Sequence, residues 1–109
     1  RRIAKKYISE IKNDKIILPT WDFSSNHVFH LFVIRCKDRD NLQEYLLSNE
    51  IQTQVHYPIP PHKQKALQAF ANLLLPVTEL IHHEVLSLPI HPNLTDLEIE
   101  KIIHVINQY

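Results

Sequence analysis

The segment His56-Tyr57-Pro58-Ile59-Pro60-Pro61-His62 decides how the rest of the chain is read. Each proline fixes its own φ and pushes the residue before it toward extended geometry. Tyr57, Ile59 and Pro60 are therefore restricted, and the loop loses little entropy when it presents its side chains to a ligand. A strand-like run precedes it: Ile51, Thr53 and Val55 alternate with Gln52 and Gln54. This predicts a strand over 51–56 with one covered and one polar face, as at a sheet beside a cleft. A helix is expected over 62–70, with Pro61 in its first turn, where a missing N–H costs nothing. The free N–H groups of such a turn would suit an anion such as a phosphate.

Moving downstream, Pro76 opens a short helix to about residue 83, and 84–88 reads as a short strand. Adjacent His82 and His83 cannot share one helical site, so they are read as surface or partly covered. Thr95-Asp96-Leu97-Glu98 is a capping box opening a helix to about 108, with Ile99, Ile102, Ile103 and Ile106 on its apolar face. Upstream, 27–36 is dense in β-branched and aromatic residues and predicts a central strand covered on both faces. There His27 and His30 would point to opposite sides, which argues against a metal pair. A helix over 39–48 follows, capped by Asp38 or Asp40, buried through Leu42, Tyr45 and Leu46, and stopped at Asn49. Residues 1–13 form an amphipathic helix stopping near Asn13, 16–18 is a possible short extended piece, and Trp21 is expected to anchor the edge of the core. Three strands with helices between and after them make a small sheet covered by helices, of the α/β (α+β) class.

The chain has 109 residues, 44% of them hydrophobic and 22% charged, within the range of one globular domain. Its formal net charge is zero, so no basic field collects nucleic acid or anionic lipid. The basic cluster Arg1, Arg2, Lys5 and Lys6 reads as a solvated helix face. No apolar run approaches the length of a membrane helix. The single Cys36 cannot pair internally, is expected to pack in the core, and is compatible with a cytoplasmic protein. There is no glycine at all, which excludes glycine-rich phosphate loops and dinucleotide fingerprints. Left-handed backbone positions at turns and caps must then fall to Asn or Asp.

Five pieces, in order, resemble one family: Arg2-Ile3-Ala4-Lys5-Lys6-Tyr7; His30-Leu31-Phe32-Val33-Ile34-Arg35; Arg39-Asp40-Asn41-Leu42-Gln43-Glu44-Tyr45-Leu46; the run from Ile51 to His62; and Glu84-Val85-Leu86-Ser87-Leu88-Pro89-Ile90-His91-Pro92. Together they resemble the C-terminal small domain of the DegT/DnrJ/EryC1/StrS family, pyridoxal-phosphate-dependent sugar aminotransferases of fold type I. The loop and the following Leu-Ser-Leu-Pro are the specific parts. The Ile-Pro-Pro-His-Lys-Gln-Lys version is similar to the branch that aminates dTDP-3-keto-6-deoxyhexoses. The resemblance implies a mainly antiparallel three-stranded sheet covered by helices, within a single domain, 1–109, cut from a larger enzyme.

It also implies roles. His56, Tyr57 and His62 would lie on the nucleotide-sugar side of the active site and contact substrate. Tyr57 would cover a sugar face, and the histidines would donate to hydroxyl or diphosphate oxygens. The family's catalytic lysine and its pyridoxal phosphate cradle belong to a large N-terminal domain, so this chain would carry no catalytic residue, hold no cofactor tightly, and be inactive alone. The whole enzyme would take an amino group from glutamate, pass it to a nucleotide-linked ketosugar, and work as a homodimer. Such chemistry supplies amino sugars for surface polysaccharides or natural products. The competing reading is a free-standing ligand-binding or protein-interaction module without catalysis. A metalloprotein, suggested by eight histidines, lacks any spacing for a tetrahedral site.

Overall fold

Alternation along a short apolar strand sets the architecture. The computed structural model describes residues 1–109. At its centre lies β2 (Phe32–Cys36), flanked by β1 (Ile16–Ile17) and β3 (Val85–Leu88) in an antiparallel sheet of order β1-β2-β3. Ile16 sits opposite Cys36, Ile34 opposite Leu86, and Phe32 opposite Leu88. The period of two puts Phe32, Ile34, Cys36, Leu86 and Leu88 on one face, all buried. Val33, Arg35, Val85 and Ser87 fall on the other.

The first face joins a single core with α1 (Arg2–Glu10), α2 (Arg39–Ser48) and α4 (Asp96–Gln108). Each helix contributes an i, i+3, i+4 stripe: Ile3, Ala4 and Tyr7; Leu42 and Leu46; Ile99, Ile102, Ile103 and Ile106. Fully burying each such aliphatic side chain is worth about 1.5–3 kcal/mol. Tyr7 sets its ring edge on Phe32 at 5.1 Å and donates its hydroxyl to the Pro89 carbonyl at 2.8 Å. The capping box is formed: Thr95 Oγ1 accepts from the Glu98 N–H at 3.3 Å, and Glu98 Oε2 accepts from the Thr95 N–H at 2.8 Å.

The second face is only partly roofed. α3 (Pro76–Glu84) lies against it. Its last residue, Glu84, is buried and takes two hydrogen bonds from Arg35, at 2.9 and 2.7 Å. The central strand is therefore covered fully on one side and half-covered on the other, not on both as its composition suggests.

Several local expectations change. β2 starts at Phe32 rather than residue 27, because Phe29 takes φ 52 and folds back. Its buried ring packs on Trp21 at 4.7 Å and stacks with His27 at 3.9 Å. The apolar richness of 27–31 serves an aromatic cluster, not a ladder. Residues 51–56 form no strand; Gln54 alone bridges Ser87, and β1 is the third strand. α1 ends at Glu10. Asn13 instead donates to the Ile106 carbonyl at 2.8 Å, tying the turn to α4. Residues 62–70 are not an α-helix but two short 3₁₀ turns, Pro61–Lys63 and Lys65–Phe70, broken at Leu67. At the end of α2, Asn49 is not left-handed; Glu50 is, at φ 64. The Glu50 N–H returns to Leu47 and the Ile51 N–H to Leu46, a Schellman closure with glutamate in glycine's usual place.

Candidate functional site

The half-roofed face of the sheet meets the proline loop, and their junction is the candidate site. Gln54 brings the chain alongside β3, exchanging both backbone hydrogen bonds with Ser87 at 3.2 and 2.9 Å. That contact fixes the next residues. His56 Nδ1 lies 3.0 Å from the hydroxyl of the buried Ser87. Tyr57 then takes φ 55, which throws its ring outward, 77% exposed. A bulky residue in the left-handed region costs roughly 1–2 kcal/mol. Strain of this kind persists where the surroundings over-determine it, often at ligand clamps.

Two clefts meet at His56. One, of about 340 Å³, is largely polar and lined by His30, Gln52, Gln54, His56 and Ser87 among others. The second, of about 240 Å³, has an apolar floor of Leu31, Val33 and Val85, with Tyr57 and His82 at its margin. His82 Nδ1 is 2.9 Å from the Thr78 carbonyl, which only accepts, so Nδ1 carries the proton and Nε2 of the neutral ring is an acceptor.

The structure thus brings His56 and Tyr57 to one rim and sets His62 elsewhere. His62 is buried, 5% exposed, and donates from Nε2 to Glu79 Oε1 at 2.9 Å. Its Nδ1 is buried without a partner. The hydrogen bond from His62, then that from the Leu75 N–H and the nearby Lys63 charge, hold the Glu79 carboxyl below the usual range. The 3₁₀ turn after Pro60 is three residues long, with no helix-start charge to offer an anion. Ser87, His30 and His82 join the site without having been named as site residues: the sequence marks His30 only as no metal partner, His82 as surface or partly covered, and Ser87 as the one hydroxyl in the apolar run from Val85 to Leu88.

No group of three or more His, Cys, Asp or Glu side chains is assembled to hold a metal. No helix is long and apolar enough to cross a membrane.

The profile of the DegT/DnrJ/EryC1/StrS aminotransferase family matches residues 1–107, and the chain belongs to that family. It is 48% identical, over its whole length, to 30% of the dTDP-3-amino-3,6-dideoxy-alpha-D-galactopyranose transaminase of Aneurinibacillus thermoaerophilus. It is 35% identical over 99% of its length to 29% of the UDP-N-acetyl-3-dehydro-alpha-D-glucosamine 3-aminotransferase of Acidithiobacillus ferrooxidans. Among solved structures, S. venezuelae DesV in complex with a ketimine intermediate superposes with a TM-score of 0.90 at 33% identity, over 98% of this chain and 30% of that one. NtdA from Bacillus subtilis with bound cofactor PMP gives 0.87 at 33% identity, over 98% and 26%. The chain thus spans about 30% of the length of the curated relatives it matches first.

No lysine among these residues is placed to hold pyridoxal phosphate as a Schiff base. Every lysine is exposed except Lys6, which is half-buried and paired with Asp96 and Glu100. None is sequestered as a Schiff-base lysine would be.

Proposed function

We propose that these residues form the C-terminal small domain of a pyridoxal-phosphate-dependent aminotransferase acting on a nucleotide-linked ketosugar. In this reading His56 and Tyr57 contact the sugar nucleotide, and His62 holds the far end of their loop through Glu79. The observation that carries it is the strained, outward Tyr57 ring beside His56 over the open sheet face. A phenol there lies over a sugar ring and reaches a hydroxyl with its oxygen. The hydrogen bond between Ser87 Oγ and His56 Nδ1 orients the ring and leaves Nε2 free for a hydroxyl or diphosphate oxygen. Residues 51–78 contain no carboxylate, and Glu79, the first beyond them, is taken up by the His62 ring and the Leu75 N–H.

The reactive lysine and the cofactor cradle come from the part of the enzyme beyond these residues. The small domain closes one side of the site and fixes the sugar's position, which lowers the barrier by orientation. Glutamate is the amino donor, as the name of the 35%-identical Bacillus subtilis 3-oxo-glucose-6-phosphate:glutamate aminotransferase suggests. The enzyme is a homodimer of the cytoplasm.

The test is amino transfer by the longer gene product, supplied with pyridoxal phosphate, L-glutamate and a panel of dTDP- and UDP-ketosugars, read as 2-oxoglutarate formed. Transfer to at least one of them is expected. In Tyr57→Ala, KM should rise roughly tenfold with a smaller change in kcat, the mark of lost binding. No transfer to any nucleotide sugar, or an unchanged KM, overturns the reading.

A further inference from the structure

The loop that carries Tyr57 is tied at both ends, and the two ties differ. Upstream, Gln54 exchanges both backbone hydrogen bonds with Ser87, and His56 Nδ1 lies 3.0 Å from the Ser87 hydroxyl. Downstream, the chain runs into an arm, Lys63 to Leu75, in which no residue is buried, so the arm offers the loop no anchor in the core. One side chain supplies the anchor instead. Glu79 Oε1, in the first turn of α3, takes the His62 ring at 2.9 Å and the Leu75 N–H at 3.3 Å, with Lys63 Nζ 3.8 Å away. His62 is held there at a cost in stability. It is buried and its Nδ1 has no partner, a penalty that an apolar side chain would avoid. Between the two ties stand three prolines, whose φ is fixed, and Tyr57 at φ 55. Only Tyr57 and Ile59 can then absorb slack in φ.

We propose that Glu79 is a positioning residue for the sugar nucleotide: by anchoring His62 it holds Tyr57 in its strained, outward conformation. The inference deepens the proposed function, which gives Tyr57 the sugar contact, and rests on it. Released from Glu79, the loop relaxes, and the left-handed tyrosine becomes the minor form, on the order of one molecule in ten. Apparent affinity falls by that fraction, so KM rises about tenfold while kcat changes less.

The test uses the full-length enzyme. Glu79→Ala and His62→Leu cut the tie from its two sides, and each should raise KM about tenfold with a smaller change in kcat. Glu79→Gln keeps the accepting oxygen and should stay within about twofold of the parent. His62→Leu fills the buried site with an apolar group, so its urea midpoint should equal or exceed the parent's, whereas loss of a merely structural histidine would lower it. In the Tyr57→Ala background either cut should add less than about twofold, because the ring it would misplace is gone. A rise of about tenfold that multiplies onto Tyr57→Ala overturns the positioning role. An unchanged KM in both Glu79→Ala and His62→Leu overturns it too. Fluorotyrosine at position 57 reports the ring without catalysis. Its fluorine NMR line should narrow toward its width in urea when the tie is cut, as for a ring set free to move, and a line as broad as the parent's sinks the proposal. The two readings separate here. No transfer by the parent enzyme, with the line narrowed in Glu79→Ala, removes the functional reading and keeps the tie. An unchanged line, with KM raised in Tyr57→Ala, does the reverse.

Discussion

Tyr7 and Tyr57 are the same residue in opposite physical situations. Tyr7 is fully buried, and its hydroxyl is the donor for the Pro89 carbonyl. Tyr57 is largely exposed and bonded to nothing in this chain. Tyr7→Phe should cost about 1 kcal/mol in urea unfolding, the net worth of one buried hydrogen bond. Tyr57→Phe should stay within about 0.5 kcal/mol, as exposed substitutions do. Equal losses would mean that the loop tyrosine is structural after all. Burial also pushes the Tyr7 phenol well above its ordinary value. The unfolded chain then ionises first, so the native state holds more protons. This stabilising term is complete below about pH 10 and declines as pH rises past it. The alkaline fall in stability should shrink in Tyr7→Phe. His62 shows the limit of reading by residue type. A histidine after prolines looks like a ligand contact, and only the folded chain reveals Glu79 waiting seventeen positions on.

At the scale of elements, α4 shows what a local signal can carry. Thr95 and Glu98 satisfy each other within one turn, so the sequence suffices to place the helix start. Thr95→Ala should cost about 1 kcal/mol by loss of the cap. Hydrogen bonds from Thr95 hold the Glu98 carboxyl low, and those from Lys6 and Arg2, with their charges, hold Asp96 low. Their folded values lie below the unfolded ones, so the native state binds fewer protons. Stability from them is present above the ordinary carboxylate range and fades as pH falls through it, from about pH 4 downward. Urea midpoints at pH 5 and pH 3 should differ less in the Glu98→Gln, Asp96→Asn double variant than in the parent chain. A difference as large as the parent's would place the acid sensitivity elsewhere. Elements without local closure were harder to read. The alternation at 51–56 is real, but Gln54 alone finds a partner, because the edge of β3 is followed for one residue and then left. The mixed apolar run at 27–31 serves three rings rather than a ladder. Residues 62–70 have helical composition, but without a core to face they settle into 3₁₀ turns.

The whole molecule divides into a body whose core spans both ends of the chain and an arm that adds nothing to it. The body's class was legible, because strands and helices alternate with clear apolar stripes. The open face was not, because Val33, Val85 and Leu31 look like core residues until α3 is seen to roof only part of them. The division predicts how the chain breaks. Proteases cut where the backbone opens at little cost, and that cost is least where few apolar groups are buried. Trypsin should therefore cut first after Lys65, ahead of Arg35, whose guanidinium is held by Glu84, and Lys101, which lies within α4. The nicked chain should stay together. β1, β2, α1 and α2 lie before the cut, β3 and α4 after it, and β2 pairs with β3 along four residues. Size-exclusion of the nicked protein should show one species, separating into two peptides only in denaturant. A first cut inside α4 or β2, or fragments that part without denaturant, would mean that the arm helps to hold the body together.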